Sequence, residues 1–119
     1  MFGYHKKILR VDLTGRKIEV RDLDDSLLEK YVGGVGLGVR LLYDETTLAT
    51  DPLGPENILT AVTGPFTDSR VPSSSRHHVM ARSPLTGLLC ESNVGGSWAV
   101  HFKKTGLFSH WCIALATTQ

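Results

Sequence analysis

Two short stretches of this sequence combine side chains and glycines that could bind an anion or a hard cation. In SNVGGSW, the amide oxygen of Asn93 is a ligand suited to Mg²⁺. Gly95 and Gly96 allow a ligand to approach the N–H groups at the start of a following helix. The same pattern is typical of a plain asparagine–glycine turn that leads into a helix. The residues alone leave a binding cradle and a turn equally supported.

The second stretch is PSSSRHH, in which three serines precede Arg76. The planar guanidinium of Arg76 could hold a phosphate or carboxylate through two hydrogen bonds. An exposed arginine at the start of a strand is an equally good interpretation. His77 and His78 would point to opposite faces of such a strand, which favours ordinary strand histidines over ligands of a shared metal.

Other candidate motifs are weaker. GGVGLG, from Gly33 to Gly38, does not have the G-x-G-x-x-G spacing and follows a predicted helix instead of a strand. A tight corner between two helices is favoured over a backbone surface for a flat cofactor. The sequence contains no G-x-S-x-G, Walker or H-E-x-x-H motif.

Hydrophobic periodicity and turn residues predict the elements that must position these residues. The alternation of KKILRVDLTGRKIEVRDL predicts a β-hairpin with Leu9, Val11 and Leu13 on one side. The remaining predictions are a helix over Ser26–Val32 capped by Ser26, a helix over Leu37–Glu45, a buried strand over Asn57–Thr63, strands over Arg76–Arg82 and Leu88–Glu91, a helix from Ser97 to a terminator at Gly106, and a last strand in HWCIALATTQ. This order favours an α+β domain with antiparallel sheets and short helices.

Composition sets broad limits on the protein. A chain of 119 residues is enough for one domain with one modest core. The net charge of +1 gives no reason to expect nucleic acid or a membrane surface as a partner. The N-terminal stretch has no apolar centre of a signal peptide, which predicts a cytoplasmic protein. Cys90 and Cys112 form no C-x-x-C pair and are expected to be buried thiols.

Five segments in order resemble the start of the tungsten-containing aldehyde ferredoxin oxidoreductase family. They are ILRVDLTGRKIEV, KYVGGVGLGVRLLYDE, DPLGPENILTAVTGPFT, SSSRHHVMARSPLTG and ESNVGGSWAVHFKKTG. The resemblance covers about Gly3 to Gly106, and its TGP, SPLTG and N-x-GG elements are specific to the family. It implies that residues 1–119 are a partial, cofactor-cradling N-terminal domain of this family.

The resemblance also implies roles for individual residues. Arg76 is expected near the phosphates of a tungsten or molybdenum bis-pterin and near a [4Fe-4S] cluster. Asn93 is expected to give an oxygen to a Mg²⁺ that bridges the pterin phosphates, and Gly95 and Gly96 to contribute backbone contacts. The family oxidises aldehydes to carboxylic acids and passes electrons through the cluster to ferredoxin.

Some parts of the family pattern do not occur in this sequence. The second pterin segment, the cluster cysteines and the acid–base residues lie further along the family's longer chain, so the isolated chain is expected to be inactive. After about residue 106 the family pattern fades, which predicts a diverged or frame-shifted end, or a missing C-terminal polypeptide. The alternative hypothesis is a non-catalytic remnant or interaction domain that keeps the fold and self-associates through its exposed, cofactor-facing sheet.

Overall fold

The computed structural model describes residues 3–105 and, for the backbone alone, residues 110–114. The elements in this part of the chain are β1 (Lys7–Asp12), β2 (Lys17–Asp22), α1 (Asp25–Tyr31), α2 (Gly34–Glu45), β3 (Ile58–Thr63), β4 (Arg76–Arg82), β5 (Leu89–Gly95), α3 (Trp98–Lys104) and β6 (His110–Ala114). The predicted α+β class is confirmed. None of the helices described has the length and apolar character that a bilayer crossing requires.

The strands form one six-stranded sheet in the order β2-β1-β6-β3-β4-β5. Neighbouring strands are antiparallel except β1 and β6, which run parallel. The predicted hairpin is confirmed as β1 and β2, with Leu9 opposite Val20 and Val11 opposite Ile18. Strand β5 lies at one edge of the sheet, and one side of its backbone pairs with no other strand in the part of the chain that the structure describes.

Helices α1 and α2 cover one face of the sheet, and α3 lies on the other. The first face holds two apolar clusters, one made of Leu42, Ile58, Val62 and Met80 and the other of Leu23, Leu28 and Leu37. On the second face, Leu9 packs against Phe102 of α3. Because strand residues alternate between the faces, His78, Met80 and Arg82 belong to the face of α2, and His77 belongs to the face of α3.

Both early helices begin earlier than predicted. Helix α1 is capped by Asp24, whose carboxylate accepts a hydrogen bond from the N–H of Ser26 at 3.2 Å, so the prediction of a Ser26 cap was wrong. Helix α2 begins at Gly34, three residues before the predicted start at Leu37. The glycine run is therefore mostly helical. The corner between the helices is formed by Val32, Gly33 and Gly34, whose φ values are 64°, 139° and 55°.

Two other predictions need correction. Strand β5 continues to Gly95 instead of ending at Glu91, because it pairs along its whole length with β4. Cys90 is exposed on this edge strand, so the prediction that it is buried was wrong. The side chain of Cys112 and the predicted helix terminator Gly106 lie outside the described residues. Strand β6 confirms the first half of the predicted last strand.

Candidate functional site

The β4–β5 pair brings Arg76 and Asn93 together. The strand register places Arg76 opposite Gly95 and His78 opposite Asn93, so all four positions lie on the α2 face of the sheet. The Nη1 group of Arg76 donates a hydrogen bond to Oδ1 of Asn93 at 3.2 Å. Both residues are exposed. The two side chains that the sequence singled out in separate motifs therefore form one polar pair at the end of the edge strand.

The glycines beside this pair leave space for a ligand. A Cβ atom placed on Gly95 or on Gly96 would meet no atom within 4 Å. Gly96 has a φ of 107°, a conformation that favours glycine, and its carbonyl accepts a hydrogen bond from the Ser75 hydroxyl. Asn93 and Gly95 lie within β5. The expectation of a turn at Asn93 was therefore wrong, and the chain turns at Gly96.

A second polar pair lies next to the first on the same face. Nδ1 of His78 and Oε1 of Glu91 are 2.6 Å apart. A Cβ on Gly34 would lie 3.4 Å from Cδ2 of His78, so the first turn of α2 packs directly against this histidine. His78 is two residues from Arg76 on β4, and Glu91 is two residues from Asn93 on β5. The pair therefore joins the two strands next to the site and supports the register that brings Arg76 and Asn93 together.

His77 lies on the opposite face, as its position in a strand predicted. Its ring is buried and packs against Trp98 of α3, with the ring centroids 4.4 Å apart. Its Nδ1 atom is buried and has no hydrogen-bond partner among the described residues. Burial, with a smaller effect of the charge on His78, lowers the pKa of His77. Across residues 3–105, histidine, cysteine, aspartate and glutamate side chains form no group of three that could hold a metal ion.

Two buried polar residues behind β4 were missed from the sequence. Lys103, near the C-terminal end of α3, is 4% exposed, and its ammonium donates to the carbonyls of Gly64 and Pro65 at 2.9 and 2.8 Å. Thr67 is 3% exposed and donates to the carbonyl of Arg76 at 3.1 Å. Lys103 follows the buried Ala99 by four residues, and this helical spacing was the available signal of its burial.

An apolar groove of about 740 Å³ lies at the other end of the β4–β5 pair. It is lined mainly by α2, by residues 46–48 and by the turn that joins β4 to β5. Neither Arg76 nor Asn93 contributes to it. The polar pair with its open glycines, which can bind a charged group through hydrogen bonds, is therefore the better candidate site.

Comparison with known proteins agrees with this fold. Residues 8–110 match the model of the aldehyde ferredoxin oxidoreductase N-terminal domain. The chain is 39% identical to a tungsten-containing aldehyde ferredoxin oxidoreductase of Pyrococcus abyssi, over 89% of this chain and 18% of the relative. It is 43% identical to the WOR-like subunit of an aliphatic sulfonate oxidoreductase of Pyrococcus furiosus, over 89% of this chain and 17% of the relative.

A solved structure shares the architecture. The active-site complex BamBC of benzoyl coenzyme A reductase, determined with 1,5-dienoyl-CoA, contains a chain that matches with a TM-score of 0.91 and 30% identity. The match covers 95% of this chain and 17% of that chain. The protein thus spans less than a fifth of the length of the relatives it matches. By the family match over residues 8–110, the chain belongs to the aldehyde ferredoxin oxidoreductase family of oxidoreductases and carries its N-terminal domain.

Proposed function

We propose that this domain binds the phosphate-bearing part of a tungsten or molybdenum bis-pterin in an oxidoreductase that converts aldehydes to carboxylic acids. Electrons would leave through a [4Fe-4S] cluster to ferredoxin. The observation that carries the proposal is the hydrogen bond between Arg76 and Asn93 beside two glycines with open space. The names of the relatives support the redox class, the tungsten and the ferredoxin.

The residues present fit the phosphate end of such a cofactor. Arg76 offers a planar set of donors that matches a phosphate, and its exposed guanidinium lies at the end of a strand where the solvent can be replaced by a ligand. Gly95 and Gly96 present backbone without a side chain in the way. When bound, the metal and its pterins supply the two-electron chemistry, and this domain positions them.

Asn93 is the proposed ligand for Mg²⁺. Its Oδ1 atom is a hard oxygen ligand of the kind that Mg²⁺ prefers. One lone pair of this oxygen accepts the hydrogen bond from Arg76, and the second lone pair is available for the metal. Mg²⁺ is usually bound in proteins by one or two carboxylates together with substrate phosphates and water. Here the neutral oxygen of Asn93 would take the place of a carboxylate, and the phosphates would supply the negative charge.

The proposal is tested by titrating the 119-residue chain with inorganic pyrophosphate, with and without Mg²⁺, in a calorimeter. We expect Arg76→Lys to weaken binding by about tenfold, because a point charge replaces a bidentate donor. Asn93→Ala should abolish the effect of Mg²⁺ on binding. Arg70→Lys, at an exposed arginine outside the site, is the matched control. Equal affinities in all four proteins would refute the assignment.

The same role can be tested with the cofactor itself. In a full-length relative, replacing the asparagine that matches Asn93 by alanine should reduce the pterin and tungsten that co-purify with the protein. The 119-residue chain alone should oxidise no aldehyde, since it spans less than a fifth of its relatives. Reduction of a dye by that chain, with tungsten or molybdenum found by elemental analysis, would contradict this expectation.

A second candidate function is self-association without the cofactor. The apolar strip that the hairpin exposes consists of Ile18 and Val20, at 70% and 49%, and it lies on the face opposite Arg76 instead of the expected cofactor-facing side. Such an apolar strip favours contact with another apolar surface. A sizing measurement separates the two functions: a monomer that binds pyrophosphate supports the cofactor domain, and an oligomer without affinity for pyrophosphate supports the interaction domain.

A further inference from the structure

We propose that Thr67 and Lys103 are positioning residues for the anion site. Through hydrogen bonds to the backbone on the opposite face of the sheet, they restrict the movement of Arg76. The inference rests on the proposed function for the site itself, and it assigns a role to two residues that do not touch the ligand surface. Both are buried and polar, and neither belongs to the polar pairs on the α2 face. Their partners are backbone carbonyls and one N–H group.

Lys103 anchors α3 to the turn that follows β3. Its ammonium binds the carbonyls of Gly64 and Pro65, and it forms no ion pair with a carboxylate within the described part of the chain. Burial lowers the pKa of Lys103, and the charge of the nearby Asp68 raises it by a smaller amount. Asp68 itself pairs with Lys104 at 3.6 Å. Burying a cation against carbonyls alone costs free energy. An apolar side chain would fill this space at a lower cost, so the lysine is better explained by its hydrogen bonds than by packing.

Thr67 continues the connection from this turn to β4. Its hydroxyl accepts a hydrogen bond from the N–H of Gly64 at 3.3 Å. The oxygen lies 3.3 Å from the carbonyl of Ser74 and 3.1 Å from that of Arg76, so its single proton is donated to the nearer Arg76 carbonyl or shared between the two. One side chain therefore joins the Gly64 turn to the residues on which the guanidinium is mounted.

The residues just before Arg76 form further hydrogen bonds. The Ser75 hydroxyl donates to the carbonyl of Gly96, and the N–H of Arg76 donates to the carbonyl of Ser74 at 2.8 Å. These bonds fix the first residue of β4 with respect to both the Gly64 turn and the β5–α3 turn. A long side chain that leaves a fixed backbone loses less conformational freedom when it binds a ligand. The network therefore raises affinity by holding Arg76 in position.

The experiment compares Thr67→Val, which removes the hydroxyl at similar volume, with Thr67→Ser, which keeps it. Thr60→Val is the matched control, since Thr60 is also fully buried and its hydroxyl donates to the carbonyl of Met80 at 3.3 Å, away from Arg76. One measurement is pyrophosphate affinity in the 119-residue chain. The other is the heteronuclear NOE of the Arg76 Nε–Hε group, which needs no ligand.

We expect Thr67→Val to weaken pyrophosphate binding by about three- to tenfold and to lower the Arg76 NOE. Thr67→Ser should restore both, and Thr60→Val should change neither. Lys103→Met gives the same comparison if Thr67→Val does not fold. A folded Thr67→Val or Lys103→Met protein with an unchanged Arg76 NOE would overturn the inference. Absence of pyrophosphate binding in the unmodified chain would instead count against the proposed function, while the NOE still decides the role of Thr67.

Discussion

The terminal methyl carbon of Met80 lies 1.8 Å from the point where a Cβ atom on Gly38 would be. A side chain at position 38 would require the methyl of Met80 to rotate away or α2 to move back from the sheet. Both residues are buried, Gly38 in the helix and Met80 in β4. The glycine therefore leaves room for Met80 between α2 and the strand that carries Arg76 and His78.

Gly38→Ala should lower the free energy of unfolding by about 1–3 kcal/mol, because the added methyl overpacks a closed core. Helix propensity alone would predict the opposite sign, a gain of about 1 kcal/mol. Urea unfolding measures the change. A double-mutant cycle with Met80→Ala provides the control: we expect Met80→Ala to cost less in the Gly38→Ala background than in the natural sequence. Equal costs in the two backgrounds would show that the contact does not decide the packing.

Arg82 should be a structural arginine, unlike Arg76. It donates to three carbonyls in residues 47–50 and to the carbonyl of Gly87 at 2.8 Å. We expect Arg82→Met to lower the free energy of unfolding by about 1–3 kcal/mol, since four carbonyls, two of them part-buried, lose one charged donor that joins residues 47–50 to β4. Arg70→Met, at an exposed position, should change it by no more than about 0.5 kcal/mol. Similar urea midpoints for the two variants would contradict this role.

The burial of His77 should make the protein sensitive to acid. Burial, helped by the charge on His78, lowers the pKa of the folded-state imidazole below its ordinary value of 6.5. Between the lowered pKa and 6.5 the unfolded chain binds more protons than the folded chain, so stability falls as the pH falls through this window. His77→Phe should flatten the loss, as measured by urea unfolding over the same range. A variant profile with the steepness of the natural protein would speak against the prediction.

Lys103 should make the free energy of unfolding depend on pH in the alkaline range. Burial lowers the pKa of Lys103 below 10.5, so the unfolded chain holds the proton more tightly and stability rises with pH between the lowered pKa and 10.5. Lys103→Met should remove this rise. The test is the difference in free energy of unfolding between the two proteins from neutral pH to pH 10.5. A constant difference across that range would exclude a titrating Lys103 as the cause.

Gly95→Ala separates ligand binding from folding. The added methyl meets no protein atom within 4 Å, and Gly95 has no positive φ, so the free energy of unfolding should change by no more than about 0.5 kcal/mol. Pyrophosphate affinity should fall by at least about tenfold, because the methyl occupies the space proposed for the ligand. Val94→Ala, on the opposite face of the same strand, should keep its affinity. Undiminished binding by Gly95→Ala would remove this glycine from the site.

Local sequence signals were enough for much of the fold. The strand over Arg76–Arg82 was predicted with its observed bounds, and the hairpin and the buried strand ending at Thr63 were predicted to within a few residues. Period-two alternation and glycine or proline at the ends mark these elements without reference to the rest of the chain. The resemblance to the family rested on short motifs in fixed order, and the family match confirms it.

The errors occurred where distant residues override local preference. The predicted β5 ended four residues too early, because an asparagine followed by glycines favours a turn unless a neighbouring strand pairs with it. The start of α2 was placed three residues too late, because glycines are poor helix formers unless packing requires their small size. Cys90 was assigned to the core, although its strand is the sheet edge.

The sequence by itself determined the class of fold, the order of its elements and the residue types available for binding an anion. Tertiary structure alone decided that Arg76 and Asn93, which are 17 residues apart, share one hydrogen bond, and that Lys103 lies buried behind them. The physical reason is that propensity and periodicity act over a few neighbouring residues, whereas register across strands and packing of helices depend on contacts between distant parts of the chain.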